Sequence, residues 1–169
     1  MTKKIIVFLL CAFPLFVSAQ IKLGHTNSDE LIMAMPETAG IEIELQALQS
    51  NLEAEFQEMQ EIFLAQAAEF QERQEFMPEN LRAMREREIT ETEQRINEFV
   101  QQANAELEQR RQELLAPIVE RVMNAVQAVG TEHGFSYIFD LAVHSLLFIS
   151  PAANDVTPLI KTKLGIIEQ

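Results

Sequence analysis

The chain has 169 residues, of which 26 are acidic and 13 basic, giving a formal net charge of −13. A surface this acidic repels phosphates, which excludes nucleic acid and anionic lipid as natural partners. One Cys allows no internal disulfide, and the three His (His25, His133, His144) stand in separate segments without metal-ligand spacing, so no metal site is expected.

Residues 1–19 read as a secretory signal peptide. Lys3 and Lys4 give a positive start, Ile5 to Val17 is apolar, and Val17-Ser18-Ala19 offers small residues for a cut before Gln20. The apolar run is shorter than the roughly 20 residues of a membrane span. Cys11 follows Leu9 and Leu10, not the small residues of a lipoprotein cut, and so belongs to the signal. The mature chain then carries 11 basic against 26 acidic residues, a charge of −15. It has no other segment long enough to cross a membrane. An exported chain without Cys must hold together by packing or assembly.

Residues 20–36 read as the first piece of a small body. Ile21 and Leu23 alternate as in a strand, and "SDELIMAM" reads as a short helix with Asn27 and Glu30 placed like a capping box. Pro36 suits the opening of a long helix. Residues 37–77 are rich in Glu, Gln, Ala and Leu, all good helix formers, and form an outgoing arm. Residues 78–80 form the tip, because Pro78 lacks an N–H and pushes Met77 out of helical geometry. A returning arm covers 81–116. Apolar spacing runs straight through Pro117 (Leu114, Ile118, Val122), so this proline reads as a kink.

Phe56, Phe63, Phe70 and Met77 recur every seventh residue. Folding the arms into an antiparallel hairpin makes facing residue numbers sum to about 159 and gives this stripe a partner. Ile41 then meets Ile118, Leu45 meets Leu114, Leu52 meets Leu107, and Phe56 meets Ala103. Farther out, Met59 meets Val100, Phe63 meets Ile96, and Phe70 meets Ile89. The stripe is expected to be this seam.

Residues 117–169 return to the body. Gly130 and Gly134 are expected to end the second long helix. "FSYIFD" (135–140) and "SLLFIS" (145–150) read as strands. Asp155 reads as the N-cap and Gly165 as the stop of a last helix. The fold class is α+β, mostly α: a long helical hairpin on a small β body. Three short strands bury only a marginal core alone, which points to an oligomer whose body is shared among protomers.

No catalytic constellation emerges. His144 and Ser145 are adjacent, so on a strand they point to opposite faces. The many carboxylate pairs are a solvated helix surface, and no phosphate-binding loop is present. The chain is expected to bind rather than catalyse, with no cofactor and no nucleotide energy.

The order of these pieces, with "IKLGHTNSDELIMAMPE", "ELLAPIVERVMNAVQAVGTEHGFSYIFD" and "NDVTPLIKTKLG", resembles the Skp (OmpH-like) family of periplasmic chaperones over essentially the whole mature chain. The resemblance implies a homotrimer, with strands of three protomers building a body and three hairpin tentacles enclosing a cavity. It also implies that unfolded outer-membrane proteins are held there in the periplasm, without ATP. Ile62 and Phe76 lie two heptads apart and off the seam, Phe99 sits near Ile62 across the hairpin, and Leu81 and Met84 lie near the tip; these five are the candidate client contacts. The best-known family members are basic. Here Arg73, Arg82, Arg85 and Arg87 at the tip are outnumbered by nearby Glu, so no lipopolysaccharide site is carried over. Clients would instead be held by apolar contact within a soluble, repulsive wall. The competing readings are a structural coiled-coil spacer or other envelope-associated interaction protein, and an interfacial membrane protein. The spacer leaves Ile62, Phe76 and Phe99 unexplained. The membrane reading conflicts with the acidic polar face.

Overall fold

In the computed structural model of the chain, residues 21–143 and 146–166 are described. The expected signal peptide (1–19) and the His144–Ser145 pair lie outside them. The element order is β1 (Leu23–Thr26), α1 (Ser28–Met33), α2 (Thr38–Arg73), a 3-10 turn (Gln74–Phe76), α3 (Glu79–Glu132), β2 (Tyr137–Asp140), β3 (Asn154–Asp155) and α4 (Thr157–Leu164). The fold is α+β and mostly α.

The three strands form one parallel sheet in the order β2-β1-β3. Leu23 stands opposite Tyr137, and His25 lies between Phe139 and Asp155. Gly24 and Thr26 face inward and are buried. A Cβ at Gly24 would lie 2.9 Å from Val156 Cγ1 and 3.0 Å from Phe135 Cε1. The missing side chain thus lets Val156 and Phe135 close on the strand. Thr26 Oγ1 and Thr157 Oγ1 share a buried hydrogen bond of 3.0 Å beside them. The apolar alternation that marked the strand in the sequence points outward instead: Ile21 is 68% and Leu23 44% exposed.

Local chemistry ties helices to strands. The Asn27 side chain accepts from the N–H groups of Asp29 and Glu30 and caps α1. The Asp140 carboxylate accepts from Ser28 N–H (3.0 Å), Ser28 O–H (2.5 Å) and Ala142 N–H (3.0 Å), which locks the end of β2 to the start of α1. Asp155 Oδ1 accepts from Thr157 N–H at 2.9 Å at the start of α4. Gly165, with φ 74°, ends α4 in the left-handed conformation that favours glycine.

The core is one cluster of Leu31, Met35, Ile118, Val122, Ala125, Val129, Val156 and Ile160, drawn from α1, the segment after it, the C-terminal part of α3, and the start of α4. From 39 to 117, by contrast, Thr92 is the one buried residue. The arms therefore stand outside the core. Ion pairs Arg121–Glu37 (2.6 Å) and Arg110–Glu44 (2.5 Å) link them near the body. Farther out, Thr92 donates to Gln66 Oε1 at 3.1 Å and accepts from Arg95 at 3.0 Å. Gln66–Thr92 and Glu37–Arg121 each fall one short of the residue-number sum expected for the hairpin.

The helix runs straight through Pro117, as the apolar spacing there predicts, and α3 carries the returning arm into the body as one 54-residue helix. Two expectations need correction. Gly130 does not end α3, which runs on to Glu132, and Gly134 with φ 68° makes the turn. Residues 146–150 are not a strand. Strand propensity reports an apolar, β-branched segment, not a free ladder, and both edges of β1 are already occupied by β2 and β3. The third strand is Asn154–Asp155, and Leu147 (103% exposed) and Phe148 (80%) are left facing outward.

Candidate functional site

At the far end of the hairpin, Met77 is extended (φ −82°, ψ 138°), as the residue before a proline must be, and Pro78 caps α3. Arg82 turns back to donate from Nε to the Gln74 carbonyl at 3.1 Å and from Nη2 to the Met77 carbonyl at 3.5 Å. A cation there satisfies carbonyls at the end of the outgoing helix and opposes its negative pole. The tip built this way presents Phe76, at 87% exposure, to solvent. Met84 is exposed and Leu81 half-buried beside it.

Between the arms a groove of about 260 Å³ is open to solvent. Leu52 and Phe56 line it from α2, and Phe99, Val100, Ala103 and Leu107 from α3. Glu53 is the one charged residue of its lining. A smaller cleft nearer the tip brings Phe70, Met77 and Ile89 together with Arg85 and Glu88. Leu45, Met59, Phe63, Ile96 and Leu114 are half-buried along the arms. At the base, Ile118 is buried and Ile41 packs against the core.

A second apolar area covers the outer face of the sheet. Leu23, Phe139, Leu146, Phe148 and Ile149 surround a pocket of about 220 Å³ that also takes in His25. Tyr137 and Phe139 stack with ring centroids 6.4 Å apart on the same face. A contiguous apolar patch on a solvent-facing sheet marks an interaction surface.

This architecture, an acidic hairpin raised on a small parallel sheet, has known counterparts. The family model for outer membrane proteins of the OmpH-like type matches residues 22–164. The chain belongs to the OmpH-like family. A crystal structure of a candidate outer-membrane chaperone (OmpH-like) from Caulobacter crescentus CB15 superposes with a TM-score of 0.65, covering 86% of this chain and 85% of that one. At 14% identity that likeness speaks for the fold alone. No curated protein matches this sequence.

The five candidate contact residues fall on the arms and the tip of this OmpH-like chain. Ile62 is 48% exposed on α2 and lies outside the groove lining that contains the half-buried Phe99. The heptad stripe from Ile62 to Phe76 is also broken. α2 ends at Arg73, and three residues of 3-10 helix rotate Phe76 away from the α-helical line. Phe76, Leu81 and Met84 belong to the tip. Leu52, Phe56, Val100, Ala103 and Leu107, expected along the seam, line the groove from both arms, with the small side chain of Ala103 among them.

A few charges of the hairpin pair with one another, and among the described residues most of its glutamates do not. Hydrogen bonds that Arg110 donates to Glu44 and Glu113 raise its pKa. Hydrogen bonds from Gln109 and Arg110 lower that of Glu113, and the Arg121 hydrogen bond lowers that of Glu37. At the tip, Arg73 pairs with Glu69 and Arg85 with Glu88, all exposed. Among the described residues no cluster of His, Cys, Asp or Glu could hold a metal ion, and no helix is long and apolar enough to cross a membrane.

Proposed function

We propose that this OmpH-like protein is an ATP-independent holdase of the periplasm that keeps unfolded outer-membrane proteins from aggregating. One observation carries the reading. The stabilising core lies wholly in the body, so the arms are free to display apolar side chains along a soluble acidic rod. Each such contact contributes about 1.5–3 kcal/mol when fully buried, and less when shared with water. Many weak contacts of this size retain a chain without fixing its conformation. The pairs Leu52–Leu107, Phe56–Ala103, Phe63–Ile96 and Phe70–Ile89 hold the hairpin. Ile62, Phe76, Leu81, Met84 and Phe99 contribute client contacts.

The outer sheet face supports a homotrimer. Leu23, Tyr137, Phe139 and Phe148 are too apolar to remain wet, and copies of the same face cover one another around a three-fold axis. Three hairpins then enclose a cavity. Export by a cleaved signal peptide places the protein in a compartment without ATP.

The test is dilution of an outer-membrane barrel protein from urea, with and without the mature protein, followed by light scattering. Suppression at stoichiometric amounts is expected. Scattering unchanged by the protein removes the holdase reading and leaves a structural spacer.

A further inference from the structure

Between residues 38 and 132 the chain carries twenty acidic and eight basic residues, so this stretch holds −12 of the −13 total. The groove at Leu52, Phe56, Val100, Ala103 and Leu107 is the apolar interruption in that field, and its single charged neighbour, Glu53, is a carboxylate. Ala103 contributes only a methyl group to the lining, and about 260 Å³ stays open. A closed cavity of about 150 Å³ accepts a benzene ring. The groove thus has room for one large apolar side chain entering from solvent.

We propose that this groove is a subsite for a leucine- or phenylalanine-sized side chain flanked by Lys or Arg in an extended segment of an unfolded polypeptide. The proposal rests on the holdase reading and narrows it from any unfolded chain to cationic-apolar segments. Charge decides among the occupants. A second hairpin brings another −12, and an acidic segment brings like charge to the groove rim within the roughly 8 Å over which charges act at physiological salt. A basic segment meets Glu53 and the surrounding acidic field as it docks. The apolar side chain supplies the hold, and the flanking cations supply the choice.

The experiment measures fluorescence anisotropy of three short labelled peptides against the mature protein: alternating Leu-Lys, alternating Leu-Glu and alternating Ser-Lys. The Leu-Lys peptide should bind, the other two far more weakly. Ala103→Leu, which fills the groove, should weaken the Leu-Lys peptide by about tenfold, the equivalent of losing one buried side chain. Glu53→Gln, an exposed change that leaves folding alone, should weaken it by about threefold. Helicity and melting of both variants are recorded alongside, so that loss of the hairpin in Ala103→Leu is recognised and Glu53→Gln then decides. Equal binding of Leu-Glu and Leu-Lys, or an unchanged affinity in Glu53→Gln, overturns the charge selection. Full Leu-Lys binding by a folded Ala103→Leu protein overturns the groove. Self-association through the hairpins that is abolished by Ala103→Leu makes a second copy the occupant and overturns the proposal. Suppression of barrel-protein aggregation without binding of any peptide sinks this inference while the holdase reading stands. Loss of suppression with peptide binding intact does the reverse.

Discussion

Gly24 and Gly40 offer the same chemical change with opposite expected signs. At Gly24, alanine introduces a Cβ 2.9 Å from Val156 Cγ1 and 3.0 Å from Phe135 Cε1. Val156 is fully buried at the junction of β3 and α4, so it has little room to retreat. Overpacking of this kind costs about 1–3 kcal/mol. Removing glycine's excess freedom in the unfolded chain returns only about 0.5–1 kcal/mol. The net is a loss of about 1–2 kcal/mol, or a melting temperature lower by roughly 2–8 °C for a chain of this size. At Gly40, an exposed position in the first turns of α2, nothing lies within 4 Å of the new Cβ. There alanine should stabilise by about 0.5–1 kcal/mol through helix propensity. Thermal unfolding followed by circular dichroism, at one fixed protein concentration because assembly would couple to melting, reads both. Shifts of the same sign, or a Gly24→Ala protein that melts no lower than wild type, would refute the close approach of Val156 and Phe135 to β1.

Further expectations follow from the core, the strand end and the tip. Ile160→Ala removes a side chain that is fully buried against α3, and should cost about 2–5 kcal/mol by urea denaturation. A loss below 1 kcal/mol would mean that α4 does not belong to the core. For Asp140, burial raises the carboxyl pKa, but hydrogen bonds from Ser28 and Ala142 outweigh it and leave the pKa below its ordinary value. A pKa depressed on folding contributes stability that is present above the unfolded carboxylate value and lost as pH falls through the folded one. Asp140→Asn should therefore be less stable than wild type at neutral pH, and the two should converge as the pH drops below about 4. Parallel pH curves would show that the Asp140 charge is not involved. Arg82→Ala should leave global stability nearly unchanged while hydrogen exchange quickens across residues 74–82, since the Gln74 and Met77 carbonyls lose the guanidinium that ties them to α3. Unchanged exchange there would mean that Pro78 alone holds the tip.

The legible parts of the fold were those set by covalent or local chemistry. Pro78 breaks the helical run because it has no N–H to give, and Asn27 caps α1 with a side chain two and three residues from the amides it serves. Helix-forming composition makes the arms helical wherever they end up. The illegible parts depended on partners distant in sequence. Residues 146–149 have the composition of a strand, but a strand needs a vacant edge, and Asn154–Asp155 occupies it with only two residues. Gly130 has the residue type of a helix stop, but the left-handed turn falls at Gly134 and the helix continues to Glu132. Within the candidate site, apolar period located the arm residues that matter, yet period does not report volume. The groove lined by Phe56 and Ala103 is a matter of side-chain volume, and the displaced position of Phe76 arises from three residues of tighter helix.

The unbroken course of α3 has a mechanical consequence. From Ile118 in the core to Glu79 at the tip it extends about 60 Å as one stiff member, at 1.5 Å per residue. Its inner end is clamped by Leu31, Val156 and Ile160, so any repacking of those side chains swings the far end like the boom of a crane. A tilt of about 5° at the clamp carries the tip sideways by about 5 Å over that reach. Small adjustments where the helices meet the strands are thereby geared up into sideways travel of the hairpin's far end.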